Sequence, residues 1–125
     1  MKNYLHLIIL SPLFWLAACN KQADKVKAFI PGTYVNFAKS AYAQANDTLV
    51  ITLIRDNSFL ITRNTTYQAI RNGRLLPKHR QVRQLNGIYD TQNHVLDETT
   101  NGRIFRFDPD RHLLKVNRAV YQKIN

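Results

Sequence analysis

The chain has 125 residues, with 18 Lys and Arg against 8 Asp and Glu, a formal net charge of +10, and one cysteine. That length fits a single domain, and a lone cysteine excludes both an internal disulfide framework and a zinc site built on cysteines. Hydrophobic residues make up 45% and charged residues 21% of the chain, which is typical of a globular protein rather than a disordered one.

The first 18 residues have the pattern of a secretory signal peptide. Lys2 supplies the positive start, and a nearly apolar stretch runs from Leu5 to Trp15. This stretch is shorter than the ~20 residues that a membrane-spanning helix needs. The sequence therefore predicts a cleaved export signal over residues 1–18.

The segment Leu16-Ala17-Ala18-Cys19 resembles the lipobox of bacterial lipoproteins. The resemblance implies cleavage before Cys19, diacylglycerol on its thiol and a further acyl chain, such as palmitate, on its amino group. Two or more acyl chains anchor a protein stably in a membrane. An ordinary signal peptide that happens to precede a cysteine is the alternative.

Residues 19–30 are polar and rich in lysine, and we interpret them as a flexible tether that begins at the lipidated cysteine. Surface-exported lipoproteins of Bacteroidota often carry an acidic patch just after the cysteine, and this chain departs from that pattern. We therefore expect a lipid anchor in the outer membrane that leaves the domain facing the periplasm.

Residues 31–125 are predicted to form an all-β domain. Short alternating or β-branched runs recur along it, separated by turn signals at Asp56-Asn57, Asn72-Gly73 and Asn101-Gly102. Eight or nine strands favour a small antiparallel meander that closes into a barrel of about eight strands, because closure removes exposed sheet edges. An open sandwich or a bent sheet is the alternative. One or two helical turns are predicted over 37–45, where alanines are frequent.

Two stretches resemble known families. The opening Gly32-Thr33-Tyr34 and the closing Tyr121-Gln122-Lys123-Ile124 are similar to the first and last strands of lipocalin-like and streptavidin-like small barrels. The run from Tyr67 to Pro77 resembles small lipoproteins encoded on conjugative elements of Bacteroidota. That likeness implies an envelope role and no particular chemistry.

The two halves of the domain also match each other. Tyr67-Gln68 corresponds to Tyr121-Gln122 at an offset of 54 residues, and Gly32 corresponds to Gly87 at an offset of 55. An internal two-fold repeat explains these matches, and so does the reuse of tyrosines in similar strands.

No cluster of residues predicts a reaction. Ser40 and Ser58 lie outside any nucleophile elbow, and Glu98 is the only glutamate, so paired catalytic carboxylates are scarce. Asp108-Pro109-Asp110 fits a β-turn better than a calcium site, because arginines flank it. We therefore expect no enzymatic activity, no cofactor and no metal site.

The interval between Asp56 and Asp90 contains no acidic residue and holds a candidate site for an anion or a partner. It holds Arg63 and five further cations that are predicted to lie on a long hairpin or an exposed loop: Arg71, Arg74, Lys78, Arg80 and Arg83. Such an arm fits anionic lipid headgroups or an acidic partner, and a solvated loop that keeps the domain soluble is the alternative. Sequence-specific binding to nucleic acid is not expected, because no reader motif is present.

Four tyrosines complete the candidate residues, either as the lining of a ligand cavity or as part of the core: Tyr34, Tyr67, Tyr89 and Tyr121. The favoured hypothesis is a lipid-anchored, non-enzymatic interaction or accessory module of the envelope, which fits a transfer or secretion apparatus. The alternatives are a lipocalin-like carrier of a small apolar ligand, with the tyrosines in its lumen, and an inhibitor of a periplasmic hydrolase.

Overall fold

The computed structural model describes residues 21–125, with side chains from Lys25 onward. The predicted signal peptide over 1–18 and the lipidation expected at Cys19 lie outside the described residues. Within the described range one helix and nine strands follow in chain order: α1 (Lys21–Phe29), β1 (Gly32–Lys39), β2 (Ala43–Arg55), β3 (Ser58–Arg71), β4 (Arg74–Leu75), β5 (His79–Asp90), β6 (Val95–Glu98), β7 (Arg103–Asp108), β8 (Leu113–Val116) and β9 (Ala119–Lys123).

Eight of these strands close into an antiparallel barrel, and β4 is an extra short strand beside β3. Consecutive strands pair around the ring, with β3 paired to β5, and the pairing of β1 with β9 completes it. The prediction of an all-β meander that closes into a barrel of about eight strands is confirmed.

The helical turns predicted over 37–45 do not form. This stretch is the β1–β2 hairpin, in which Ala38 pairs with Ala45. The alanines favour a helix locally, but β2 pairs with β1 on one side and with β3 on the other. Tertiary pairing therefore overrides the local propensity.

The strand pattern does not repeat along the chain. The 13-residue strand β2 is unbroken. If the range of β2 is shifted by 54 or 55 residues along the sequence, it covers the end of β6, the turn after it and β7. The strand lengths over residues 21–125 therefore show no two-fold repeat, which favours the reuse of similar residues as the explanation of the internal matches.

Residues with positive φ form the turns at both ends of β3. Asn72 and Gly73 both adopt positive φ, at 53° and 74°, as the two central residues of a type I′ hairpin require. Asp56 joins β2 to β3 with a φ of 50°, a conformation that aspartate tolerates better than most residues.

The core fills the barrel with side chains from every strand of the ring. Alternate residues point inward, as the two-residue period of a strand dictates. The buried apolar cluster comprises Ile30, Tyr34, Leu49, Ile51, Phe59, Ile61, Leu85, Tyr89, Leu96, Phe105, Leu114, Val116 and Tyr121.

Helix α1 differs from the flexible tether that the sequence analysis predicts for 19–30. Ile30, just after the helix, is completely buried, and Val26 and Phe29 pack against the core. These three apolar residues recur at the three- and four-residue spacing of one helix face. They cover one end of the barrel, so the helix belongs to the folded domain.

The carbonyl end of α1 finds its partners on β1 and β9. Tyr34 Oη donates to the backbone oxygens of Phe29, at 3.0 Å, and Ile30, at 2.9 Å. Lys123 Nζ also donates to the Phe29 oxygen and lies 4.1 Å above the Phe29 ring. Carbonyls at a helix end lack partners within the helix, and a cation is favourable there.

These contacts give the barrel two distinct ends. We call the end covered by α1 the lower end; it also holds the β2–β3, β5–β6 and β7–β8 turns. The opposite, upper end holds the β1–β2, β6–β7 and β8–β9 turns and the connection from β3 through β4 to β5.

We predict that Ile30→Ala lowers the free energy of unfolding by about 2–5 kcal/mol, because it removes a fully buried side chain from the lower end. Ile124→Ala is the matched control, since Ile124 is 62% exposed. Equilibrium denaturation in urea measures both. Equal stability of the two variants would mean that α1 does not close the barrel.

Candidate functional site

Four strands rise above the rest of the barrel at its upper end. The parts of β1, β2, β3 and β5 at 36–39, 43–47, 63–71 and 79–85 continue past the residue pairs that join β1 to β9 and β5 to β6, and we call them the upper sheet. Strand β5 pairs with β6 only over Gly87–Asp90, whereas it pairs with β3 over His79–Ile88. The inner face of the upper sheet is therefore open on the side of the short strands.

Cross-strand register arranges the inner face of the upper sheet in rows. One row runs through Asn36, Asp47, Thr65 and Gln81. The row below ends in Arg63 and Arg83, which stand directly opposite each other on β3 and β5. A cavity of about 140 Å³ lies between these strands, lined by Arg63, Thr65, Gln81 and Arg83.

Asp47 is the centre of a hydrogen-bond network in this face. Its carboxylate accepts from Arg63 Nε at 3.0 Å and Nη2 at 2.8 Å, and from Thr65 Oγ1 at 3.1 Å. Tyr121 Oη, on β9 across the barrel, donates to the same carboxylate at 2.6 Å. The network thus links β2, β3 and β9, and charge-assisted bonds of this kind are stronger than neutral ones.

The network shifts the pKa values of Asp47 and Tyr121. Burial by itself would raise the pKa of Asp47, but the hydrogen bonds from Arg63, Tyr121 and Thr65 and the charge of Arg63 outweigh it, so the pKa lies below its usual range. Burial, together with the hydrogen bond to Asp47, raises the pKa of Tyr121. Asp47 therefore stays ionised and Tyr121 protonated at neutral pH.

Among residues 25–125, no carboxylate forms an ion pair with Arg83. Arg63 shares the face with it but is already paired with Asp47. The amide oxygen of Gln81, in the orientation that satisfies its surroundings, accepts from Arg83 Nε at 3.2 Å and Nη2 at 3.1 Å. Like charges directly opposite each other in a sheet are unfavourable. An anion that entered the cavity would relieve this unfavourable pairing.

The five cations predicted as a site lie on or beside the upper sheet, but not all in a loop. Arg71 ends β3 and Arg74 begins β4, Lys78 lies in the connection, and Arg80 and Arg83 lie in β5. Arg83 faces inward, whereas Arg80 faces outward and its Nε donates to Asn64 Oδ1 at 3.2 Å. Among residues 25–125, none of the five forms an ion pair.

Further cations gather at the same end. A hollow of about 560 Å³ between the β6–β7 and β8–β9 turns is lined by Arg103, Arg106 and Lys115, among other residues. The lower turns, in contrast, carry carboxylates: Asp56, Asp90, Asp108 and Asp110. Charge is therefore distributed unequally along the barrel.

Three of the four candidate tyrosines belong to the core. Tyr34, Tyr89 and Tyr121 are at most 5% exposed. Tyr67 is instead 44% exposed on the upper sheet, opposite Ala45 and His79. The packed interior occupies the space that a lipocalin-like carrier would keep for an apolar ligand.

The roles of Asp47, Arg63 and Thr65 are not among the sequence-based predictions. Asp47 directly precedes the β-branched run 48–54, and a carboxylate buried in such a strand needs a partner, which was a usable signal. The partner in β9, 74 residues away, could not be found without the strand register.

No family model matches this chain, and no curated protein or solved structure matches it either. In the part of the chain that the structure describes, no helix is both long and apolar enough to span a membrane. Over the same residues, no three metal-ligating side chains of His, Asp or Glu come together.

We predict that Asp47→Asn lowers the free energy of unfolding at pH 7 by about 1–3 kcal/mol, because it removes hydrogen bonds to a charged acceptor and leaves Arg63 unbalanced. The low pKa of Asp47 in the folded state stabilises the protein above the unfolded pKa of about 3.9, and this contribution disappears as the pH falls through the folded value. In the Asp47→Asn variant, the free energy of unfolding should therefore decline less steeply than in the parent protein as the pH falls below 4.

Urea denaturation at several pH values measures both effects. Asp56→Asn, at the exposed β2–β3 turn, is the control and should leave stability within about 0.5 kcal/mol of the parent. A parallel decline of the Asp47→Asn and parent proteins with falling pH would contradict the role assigned to Asp47.

Proposed function

We propose that this chain is a lipid-anchored, periplasm-facing protein of the cell envelope that acts without catalysis, by binding an acidic partner protein at its upper end. The anchor is Cys19, in the lipobox-like segment that precedes α1. The single observation that carries the proposal is polarity: the chain enters the barrel at the lower end, and among residues 25–125 most cations without an ion pair lie at the upper end.

Distance separates the two ends. The 14 residues of β3 run from the lower to the upper end, which is about 45 Å along the strand at ~3.3 Å per residue. With the usual barrel tilt of about 40°, this is about 35 Å along the barrel axis. Screening in physiological salt acts over ~8 Å, so cations of the upper end lie several screening lengths from a membrane at the lower end.

This separation favours a partner over the protein's own membrane. A basic patch contributes to lipid binding only within a screening length of the anionic surface. The lower end, which adjoins the anchor, has no marked excess of cations for an anionic surface, because Lys25, Lys27, Arg55 and Arg111 balance its four turn carboxylates. The cations at the upper end are free to meet an acidic surface beyond that leaflet, as an accessory module of a transfer or secretion apparatus would require.

The body of the barrel supports binding rather than transport. Its interior is filled by the apolar cluster, and the cavity on the inner face of the upper sheet is small and lined by polar side chains. A filled barrel holds the upper sheet in a fixed geometry, which lowers the entropy lost when a partner binds.

We predict that the triple reversal Arg74→Glu, Arg80→Glu and Arg83→Glu reduces recovery of the partner at least tenfold without unfolding the barrel. Opposite charges attract and steer the partner, and the reversal replaces that attraction with repulsion. Crosslinking of the acylated protein in its own envelope, followed by affinity capture and mass spectrometry, measures the recovery.

The matched control reverses three cations of the lower end, Lys27, Arg55 and Arg111, which changes the net charge equally. We expect this control to recover the partner as the parent does. Equal recovery by both triple variants would remove the upper end from the proposed function.

The anchor has a test of its own. Mass spectrometry of the processed protein should show an N-terminal Cys19 carrying diacylglycerol, and Cys19→Ser should move the protein from the membrane fraction to the soluble periplasmic fraction. Acyl chains contribute ~0.8 kcal/mol per buried methylene group, so their loss abolishes stable anchoring. An unmodified thiol on the processed protein would refute the anchor.

A further inference from the structure

The upper sheet has an open edge along β5. On one side, residues 79–88 of β5 pair with β3. On the other side, β6 pairs only with 87–90, and the Asn86 oxygen accepts from Thr99 N at 2.9 Å. From His79 to Leu85, β5 has no strand on that side among the residues that the structure describes.

Alternation along β5 shows which backbone groups face the open side. In a strand, the N–H and C=O groups of one residue point to the strand on one side, and those of the next residue point to the strand on the other side. The Asn86 oxygen points toward β6, and Tyr89 N donates to Asn57 on the opposite side. The backbone groups of Arg80, Val82 and Gln84 therefore face the open edge.

An edge of this kind usually pairs with something or is protected. Charged residues on an edge strand are a common device against pairing with a second copy. In β5, Arg80 and Arg83 would meet cations of the same strand in another copy, and like charges across strands repel. The same two arginines attract a strand that carries carboxylates, so charge selects an acidic segment over self-association.

We propose that an extended acidic segment of the partner adds to the barrel as a further strand, antiparallel or parallel to β5, with hydrogen bonds to the backbone of Arg80, Val82 and Gln84. Strand addition of this kind draws affinity from the main chain and specificity from alternate side chains. The inference rests on the proposed function, and it specifies how the acidic partner is held.

The side chains of the added strand meet different surroundings on the two faces. Residues on its inner face adjoin Arg83 and the cavity between Arg63 and Gln81, so a carboxylate there supplies the charge that Arg83 lacks. Residues on its outer face meet Arg80 and Val82, which is 54% exposed. Carboxylates are favourable on either face, and a small apolar residue fits beside Val82.

The test uses a probe peptide of 12 residues that alternates Glu and Thr, capped at both ends and fluorescently labelled, with the acylated protein in neutral detergent micelles. Fluorescence anisotropy measures its affinity for the parent protein, for Val82→Pro and for the matched control Val82→Ala. Proline removes the Val82 N–H that faces the open edge, and it leaves the bonds to β3 in place.

We expect Val82→Ala to bind the peptide within twofold of the parent, and Val82→Pro to bind it at least about fivefold more weakly, because a main-chain hydrogen bond is lost. A peptide with Lys in place of Glu should not bind. Backbone amide hydrogen exchange of the parent protein should slow at Arg80, Val82 and Gln84 when the acidic peptide is added. If Val82→Pro fails to fold, this exchange measurement tests strand addition in its place.

Two outcomes would overturn strand addition. One is equal affinity of Val82→Pro and Val82→Ala with unchanged exchange at 80–84. The other is no binding of the acidic peptide by the parent protein. If the triple reversal of Arg74, Arg80 and Arg83 still abolishes partner recovery, the proposed function stands and only the strand geometry is wrong.

Discussion

The bonds to the Asp47 carboxylate hold the upper half of the barrel together. Strands β1 and β9 close the ring through two residue pairs in register, Tyr34 with Lys123 and Val35 with Gln122, and Thr33 exchanges backbone hydrogen bonds with the residues just after β9. The bond from Tyr121 to Asp47 ties β9 to β2 across the interior, beside this short seam. Because Asp47 also holds Arg63 and Thr65, one ionised side chain marks the boundary between the apolar core below it and the basic face above it.

The two ends of the barrel have different roles in the proposed function: the lower end closes the core, and the upper end binds the partner. At the lower end, α1 closes the core with Phe29 and Ile30, and Tyr34 and Lys123 satisfy its carbonyls. At the upper end, longer strands leave an edge and a face without partners, and the cations there outnumber the carboxylates. The core is therefore covered at the end where the chain would join its anchor, and among the described residues most unpaired cations and an open strand edge lie at the opposite end.

The sequence was sufficient for the class of fold because strand alternation and turn residues such as Asn72-Gly73 are local signals. Four features were not local. Alanines at 38 and 45 form a hairpin because strands far along the chain pair with it, and α1 gains its order only from the barrel end that Ile30 enters. The candidate cations are visible in the sequence by their charge, but the placement of Arg80 and Arg83 on opposite faces of β5, and the bond from Asp47 to Tyr121, depend on register.

The most direct test of the account is to map the partner's position in living cells with a photo-crosslinking amino acid. Val82, at the upper edge, and Leu53, near the lower end, are both exposed aliphatic residues of strands, at 54% and 44%. The account predicts a covalent adduct with an envelope protein from position 82 and none from position 53. An adduct from position 53 alone, or equal adducts from both positions, would contradict it.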